Sequence, residues 1–296
     1  MVYLRQQNTI PVRRLWEGFN PLGVNEGIFV LLRGYIDESY DKDQKIFALS
    51  CLLAPGKAWT EIERVWKLHL RAKNKELAKA GRPAISRYHA SDCNGRRGEF
   101  KGWNEDERNE FVVGLLGIMK QYPLHTVAYD VDLNALRETF PEFAKDRLEL
   151  AYSLLIGFLM HTIGADFQGM AQGAPVKITL FHDRTSKYDP AILRAFNREM
   201  ADPAFPHASY FTSITSLAWT DCIVLQPADL VAFEIFREAE NRAKARKTRK
   251  SFSALFEMEG FGIHAKSFVD KATMLKLREL AERHNAQRLR EEQDNG

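Results

Sequence analysis

The sequence has few cysteines and no motif in which they act as a pair. Only three occur among the 296 residues, at Cys51, Cys93 and Cys222, and they are far apart. Because no CxxC pair occurs, neither a zinc ribbon nor a disulfide framework is predicted. This cysteine usage is typical of a reducing compartment, and we expect a cytoplasmic protein.

The chain also lacks the short motifs of several large enzyme classes. It contains no GxxxxGK[ST] phosphate loop, no GxGxxG after a predicted strand and no GxSxG elbow. These absences argue against a P-loop nucleotide hydrolase, a typical dinucleotide-dependent enzyme and an α/β-hydrolase.

A strong charge imbalance and an early membrane-spanning run are missing as well. The apolar run at residues 28–32, IFVLL, is much too short to cross a bilayer. The first residues lack the pattern of a signal peptide, so we expect no membrane partner. The formal net charge is +3, with 42 basic and 39 acidic residues. A balance this close to neutral neither requires nor excludes a nucleic-acid partner.

What the sequence does contain is an alternation of strand-like and helix-like segments. Strands are predicted at residues 28–37, 45–53, 124–132, 176–183 and 208–217. Helices are predicted at residues 58–80, 105–121, 142–167, 189–200, 226–245 and 268–292. An opening hairpin followed by this alternation predicts an α/β fold, in which helices cover the faces of a sheet. We expect residues 1–27 to form an N-terminal arm with little regular structure.

Carboxylates stand at the ends of two predicted strands. Asp37, followed by Glu38, closes the first strand in the stretch YIDES, and Asp183 closes the strand VKITLFHD. In open α/β sheets, ligands bind beyond the carboxyl ends of the strands. The two aspartates would share such a site if their strands are neighbours. The alternative is that each caps its own strand and faces water.

A third acid lies in the first turns of a predicted helix, in the stretch LQPADLVAFEIF. Pro227 suits the first turn of a helix, and Gln226 and Asp229 are three residues apart, so they share a face. Asp229 also continues an apolar column that includes Phe233 and Phe236, where a carboxylate is costly to bury. A favourable interaction with the helix dipole is the alternative explanation, but it does not account for the apolar column.

Three carboxylates at one place repel each other, because like charges at short range cannot all stay ionised. A divalent cation removes this conflict, and ligands that are all oxygen favour Mg²⁺ or Mn²⁺ over Zn²⁺. Such ions are the usual means of activating water against a phosphodiester. We therefore predict that Asp37, Asp183 and Asp229 bind Mg²⁺ or Mn²⁺, and that Gln226 orients Asp229 or the substrate.

Two further features bear on a phosphodiester substrate. His89 and Asp92 lie three residues apart in a predicted loop, where they could form a ligand pair, a proton shuttle, or a turn-capping acid beside a surface histidine. Residues 242–250, RAKARKTRK, are the densest basic run and follow the Asp229 helix. This run could track a phosphate backbone, or it could be a solvated helix end.

Taken in order, YIDES, YHASD and LQPADLVA resemble the motifs of the domain of unknown function 3800 family. That family typically shows a YIDESG-like opening, an FHAS-like middle element and an LQxAD-like helix, and the resemblance covers roughly residues 33–240. It implies an RNase H-like fold, with a mixed five-stranded sheet flanked by helices. It also implies acids on the first strand, the fourth strand and the last helix, and Asp37, Asp183 and Asp229 occupy these places.

The resemblance departs at Tyr40, where the family usually has glycine. We expect an RNase H-like domain with helical insertions over residues 28–245, and a C-terminal helical extension over residues 246–296. We predict a metal-dependent phosphodiesterase or nuclease that acts on nucleic acid, with His89 moving protons and with Glu38 assisting from the edge of the site if the strand ends or bulges there. The alternatives are a non-catalytic RNase H-like module that binds a protein or nucleic-acid partner, and a hydrolase of small nucleotides.

Overall fold

A computed structural model of the chain describes residues 30–41, 43, 45–143, 146–170, 176–185, 187–256, 261–279 and 282–283. The N-terminal arm predicted for residues 1–27 lies outside the described residues. So does most of the second half of the helix predicted for residues 268–292.

The described strands form one mixed six-stranded sheet. In chain order they are β1 (Val30–Tyr40), β2 (Ile46–Pro55), β3 (Leu124–Asp132), β4 (Val176–Asp183), β5 (Phe211–Leu217) and β6 (Phe261–Val269). Across the sheet their order is β5-β4-β1-β2-β3-β6. The β1–β2 and β2–β3 pairs are antiparallel, whereas the β1–β4, β4–β5 and β3–β6 pairs are parallel. The predicted α/β class with a mixed sheet is confirmed.

Helices cover both faces of this sheet. They are α1 (Gly56–Lys79), α2 (Ala90–Gly95), α3 (Glu105–Met119), α4 (Leu133–Thr139), α5 (Arg147–Met170), α6 (Asp189–Ala201), α7 (Leu225–Ala243) and α8 (Lys250–Phe256). A further helix, α9, covers residues 271–279. The buried residues of α4, α5 and α6 join the core on one face, and those of α1, α3, α7 and α8 join the core on the other.

Successive side chains of β1 point alternately to the two faces of the sheet, and its buried residues join the core on their own face. Leu32 and Ile36 belong to the core beneath α5, and Tyr35 belongs to the core beneath α7. Because successive residues of a strand point to opposite faces, Asp37 falls on the α7 face and Glu38 on the α5 face.

The structure corrects the prediction in its C-terminal part. The sheet has six strands rather than five, because β6 pairs in parallel with β3. The predicted helical extension of residues 246–296 therefore contains a strand of the main sheet, and the helix expected from residue 268 begins at residue 271. The stretch FGIHAKSFV mixes glycine and polar residues into its apolar positions, which weakens the strand signal. An edge strand tolerates such a composition.

Helix α5 is apolar along most of its length. Among the described residues, Arg147–Gln168 is the one helical stretch that is long and apolar enough to cross a bilayer, with a mean hydropathy of 1.4. Of its most apolar window, 56% is buried inside the protein, and Leu155 and Leu159 belong to the core beneath the helix. Core helices pass the same test, so the absence of a membrane partner stays a prediction.

Candidate functional site

The strands that carry Asp37 and Asp183 are parallel neighbours, as predicted. Tyr35 of β1 pairs with Phe181 of β4, and their rings stack with centroids 5.3 Å apart. Asp37 lies two residues after Tyr35, and Asp183 lies two residues after Phe181. Since side chains two apart on a strand share a face, both carboxylates lie on the α7 face at the same end of the sheet.

Helix α7 crosses this face and brings Asp229 to it. The Ser50 hydroxyl of β2 donates a hydrogen bond of 3.1 Å to the Ala228 carbonyl, which fixes the start of α7 against the sheet. Ser50 is also the register partner of Asp37 across the β1–β2 pair. The residue after Ala228 is Asp229, so its carboxylate lies near that of Asp37. We call Asp37, Glu38, Asp183 and Asp229 the acid cluster.

Burial and mutual repulsion hold the carboxyl pKa values of the acid cluster high. Burial, followed by the negative charges of Asp229, Glu38 and Asp183, raises the pKa of Asp37 well above its usual range. Burial is also the main cause that raises the pKa of Glu38 to about 7 and that of Asp229 to about 6. The pKa of Asp183 is raised for the same reason. None of the four carboxylates forms an ion pair with a described residue.

Backbone N–H groups hold the three aspartates in place. Asp37 and Asp183 each accept a hydrogen bond from the N–H of the following residue, at 2.8 and 2.9 Å respectively. Asp229 Oδ2 accepts a hydrogen bond of 2.8 Å from the N–H of Ala90, at the start of α2. These bonds favour the charged form of each acid and limit the rise in pKa caused by burial.

The first turn of α7 also holds the segment that precedes α2. Gln226 Oε1 accepts hydrogen bonds from the Trp66 indole N–H at 2.9 Å and from the Tyr88 N–H at 3.0 Å, and Gln226 is only 5% exposed. Gln226 does not bond to Asp229 directly, and its role in orienting Asp229 or the substrate stays a prediction. Gln226 anchors the segment whose Ala90 N–H binds the Asp229 carboxylate.

Within the acid cluster, Glu38 points to the opposite face of the sheet from the three aspartates. Its carboxyl pKa is raised by burial and lowered by the nearby Tyr152 hydroxyl of α5, which confirms that the side chain points to the α5 face. Tyr152 is 1% exposed, and its hydroxyl has no partner at full hydrogen-bond geometry among the described residues. The contact with Glu38 is therefore looser than a regular hydrogen bond.

His89 lies beside Asp229, with the predicted partner in contact. His89 Nδ1 is 2.8 Å from Asp92 Oδ2, so the carboxylate orients the ring. Burial is the largest influence on the carboxyl pKa of Asp229 and raises it. The charge of His89 is the second largest influence and lowers that pKa. The imidazole is half-buried and close to the acid cluster. A role for His89 in proton transfer stays a prediction.

Two residues beside the acid cluster were missed by the sequence analysis. The Arg87 guanidinium lies over the Trp219 ring, 3.7 Å from its centroid. Burial is the main influence on the carboxyl pKa values of Asp183 and Asp229 and raises both. The positive charge of Arg87 acts in the opposite direction and lowers both pKa values. The nearby backbone N–H of Trp219 also lowers the pKa of Asp183. Arg87 directly precedes the stretch YHASD, but Trp219 lies between β5 and α7, where no periodic pattern signals it.

A pocket of about 240 Å³ opens next to these residues. We call it the Trp219 pocket, and its lining residues are Ser86, Arg87, His89, Asp92, Gly98, Glu99, Phe100 and Trp219. It brings together the segment before α2, the turn after α2 and the β5–α7 connection.

Half of the basic side chains of residues 242–250 form ion pairs within the protein. Three of the six basic side chains in this run form ion pairs, in the pairs Arg242–Asp130, Lys244–Glu240 and Arg249–Glu234. The other three, Arg246, Lys247 and Lys250, are exposed and form no ion pair with a described residue. At most half of the run is therefore available to a phosphate backbone.

The acid cluster has the donor atoms for a hard divalent cation, but its side chains are not arranged as a cage. All four members offer carboxylate oxygens, the ligands that Mg²⁺ and Mn²⁺ prefer. In the part of the chain that the structure describes, no group of three or more His, Cys, Asp or Glu side chains is placed to hold a metal ion. Metal binding would therefore require at least one of these carboxylates to rotate toward the others.

No protein-family model, curated protein or solved structure matches this chain. The resemblance to the domain of unknown function 3800 family therefore stays a prediction from the three motifs.

Proposed function

We propose that the protein is a divalent-metal-dependent phosphodiesterase of RNase H-like fold that acts on nucleic acid. The observation that carries the proposal is the acid cluster, in which burial raises the pKa of four half-buried carboxylates and neighbouring carboxylates raise it further for Asp37, Glu38 and Asp229, without a basic partner in an ion pair. Such an arrangement costs stability in the absence of a ligand. Mg²⁺ or Mn²⁺ is the ligand that the donor atoms favour.

The strand order supports the RNase H-like part of the proposal. Strands β1, β2 and β3 form an antiparallel meander, and β4 and β5 continue the sheet in parallel beyond β1. The first and fourth strands are neighbours, as the RNase H-like arrangement requires. Asp183 is the last residue of β4, whereas β1 continues to Tyr40, so the expectation that Asp37 closes its strand is wrong by three residues. Strand β6 extends the sheet on the far side of β3, away from the acid cluster.

The residues divide into groups with distinct roles. Asp37, Asp183 and Asp229 would hold the cation, which supplies activation of a water molecule and neutralisation of phosphate charge. Arg87 forms no ion pair with a described residue, so its guanidinium can donate to a phosphate oxygen. His89, oriented by Asp92, lies at the edge of the site, where it can give a proton to the leaving oxygen.

The test is hydrolysis of single- and double-stranded DNA and RNA with Mg²⁺, Mn²⁺ or EDTA. We expect Asp37→Asn, Asp183→Asn and Asp229→Asn each to lower the rate by about 100-fold or more, since changing even a residue that supports a metal ligand costs about 10- to 100-fold. Asp221→Asn is the matched control, because this exposed acid lies on the β5–α7 connection. Cleavage that persists in EDTA, or in all three variants, would refute the proposal.

A non-catalytic module is the second candidate. The observation that favours it is the lack, among the described residues, of three side chains already placed as metal ligands. It predicts nucleic-acid or protein binding without metal-dependent cleavage. A hydrolase of small nucleotides is distinguished in the same assay, because it would cleave free nucleotides or dinucleotides and leave longer strands intact.

A further inference from the structure

We propose that the Trp219 pocket is a nucleotide subsite, which binds one unstacked base and its phosphate in a single-stranded nucleic acid. This inference rests on the proposed function, because it names the kind of strand that the acid cluster would cleave.

The pocket lies directly beside the acid cluster. The backbone N–H of Trp219 lies close enough to the Asp183 carboxylate to lower its pKa, and the side chain of the same residue forms a wall of the pocket. Beside Trp219, Arg87 and His89 also line the pocket, and they come from the segment whose Ala90 N–H bonds to Asp229. A ligand in the pocket is thus held by two segments that are each tied to an aspartate of the cluster.

The pocket lining offers one group for a base and one for a phosphate. Trp219 is 39% exposed, although Arg87 lies over its ring. An indole at the surface of a binding site is a stacking platform for any base. The planar Arg87 guanidinium stacks on the ring through its face. The N–H groups lie around the edge of the guanidinium plane, where they can donate hydrogen bonds to phosphate oxygens.

The acids in the lining bond to other groups, so neither holds the Arg87 guanidinium. Glu99 accepts hydrogen bonds of 2.7 Å from both the N–H and the hydroxyl of Ser86. Asp92 bonds to His89 at 2.8 Å. Arg87 forms no ion pair with either acid.

The size of the pocket favours one base over a larger ligand. Its volume of about 240 Å³ is below the roughly 300–1,000 Å³ of pockets that enclose drug-sized ligands. A base in a duplex is paired and stacked, so it could enter only after being flipped out, at an energetic cost. A single strand presents its bases without that cost.

The experiment measures binding of a fluorescein-labelled oligothymidine by anisotropy in EDTA, so that no cleavage occurs. We expect Trp219→Ala to weaken binding by about 5- to 150-fold, the range that corresponds to loss of one stacked base. Trp219→Phe should retain most of the affinity, because it keeps an aromatic face. Arg87→Ala should weaken binding and reduce the slope of log affinity against log salt by about 0.7. All variants are first compared with the parent in thermal melts.

The matched control is Phe268→Ala. Phe268 is 42% exposed and lies beneath Arg242, whose guanidinium is 4.3 Å from the ring centroid. The Phe268–Arg242 pair has the same aromatic–arginine arrangement as the Trp219–Arg87 pair. Phe268 lies on β6, two strands beyond β2 and away from the acid cluster. Its substitution should leave oligothymidine binding unchanged.

Three results would overturn the inference. They are unchanged affinity in folded Trp219→Ala, an equal loss in Phe268→Ala, and equal or tighter binding of the matching duplex. The proposed function fails by a different result, namely cleavage that does not depend on metal or on the aspartates. Because binding is measured in EDTA, each can fail while the other stands.

Discussion

The two ends of helix α7 bury acids in different ways. From the middle of the helix to its C-terminal end, buried acids pair with arginine: Glu234, the middle residue of α7, is 2% exposed, and the Arg249 guanidinium lies 3.1 Å from its carboxylate. Asp130 of β3 is fully buried there and pairs with Arg242. At the N-terminal end, Asp229 and the rest of the acid cluster have no such partner among the described residues.

This difference separates acids that stabilise the fold from acids that, in our proposal, bind a ligand. A buried carboxylate that pairs with arginine avoids the cost of an isolated buried charge. A group of carboxylates that repel one another has no such compensation, and strongly raised pKa values of this kind concentrate at functional sites. Substitutions at the two ends of α7 should therefore have opposite effects on stability.

The largest expected effect is at the paired end. Arg249→Met should lower the free energy of unfolding by about 3 kcal/mol, because breaking a buried pair leaves Glu234 with an uncompensated charge. Urea denaturation measures the change. Arg64→Met is the control, since its pair with Glu61 is exposed and should contribute less than about 1 kcal/mol. Equal effects of the two substitutions would remove the distinction between the ends of α7.

The next effect is stabilisation by metal at the unpaired end. Mg²⁺ or Mn²⁺ that binds the folded protein at 100 times its dissociation constant adds about 2.7 kcal/mol by mass action. We expect this gain in the parent and in Asp221→Asn, but not in Asp37→Asn. Thermal melts with metal and with EDTA provide the measurement. A gain of the same size in Asp37→Asn would show that the ion binds elsewhere.

A smaller effect is the pH dependence of the metal-free protein. Folding raises the pKa of Glu38 to about 7 and that of Asp229 to about 6, and it raises the pKa of Asp37 in the same direction. The folded state thus holds more protons than the unfolded state, so stability falls as pH rises from about 4 to about 7.

Asp37→Asn removes one of these titrating groups and relieves repulsion on the others. In EDTA it should stabilise the protein by about 1 kcal/mol at pH 8 and by less at pH 5, because the unmodified acids are more protonated at the lower pH. Urea denaturation at both pH values checks this. A destabilisation that is larger at pH 8 would contradict the repulsion on which the acid cluster argument depends.

Much of the sheet and of the site could be predicted from the sequence, because local patterns carry that information. The strands at residues 124–132 and 176–183 have the predicted bounds. The spacing of three between Gln226 and Asp229 correctly placed both on one face of α7. Strand β6 was missed, because an edge strand needs no regular alternation.

The rest of the site depends on contacts between distant segments. Trp219 meets Arg87 only after the chain has folded, since 131 residues separate them and neither lies in a periodic element. The true partners of Gln226 likewise come from α1 and from the segment before α2. No local pattern in the sequence encodes these contacts.

The smallest expected effect concerns the basic run, and it follows from the ion pairs at the end of α7. Arg242, Lys244 and Arg249 already neutralise acids of the protein, so only Arg246, Lys247 and Lys250 can add to a phosphate interaction. Replacing these three with glutamine should reduce the slope of log affinity against log salt by no more than about 0.7 per contact, equally across sequences.

The free energy of unfolding should change by less than about 0.5 kcal/mol, because exposed charges contribute little to stability. Lys57, Lys75 and Lys79, exposed on α1, provide a triple glutamine control of equal charge change. If the two triple variants change the salt slope equally, the run acts only through net charge. If the salt slope falls only in the 246–250 variant, the bound nucleic-acid strand extends from the acid cluster along α7. Both ends of this helix then contact the same substrate.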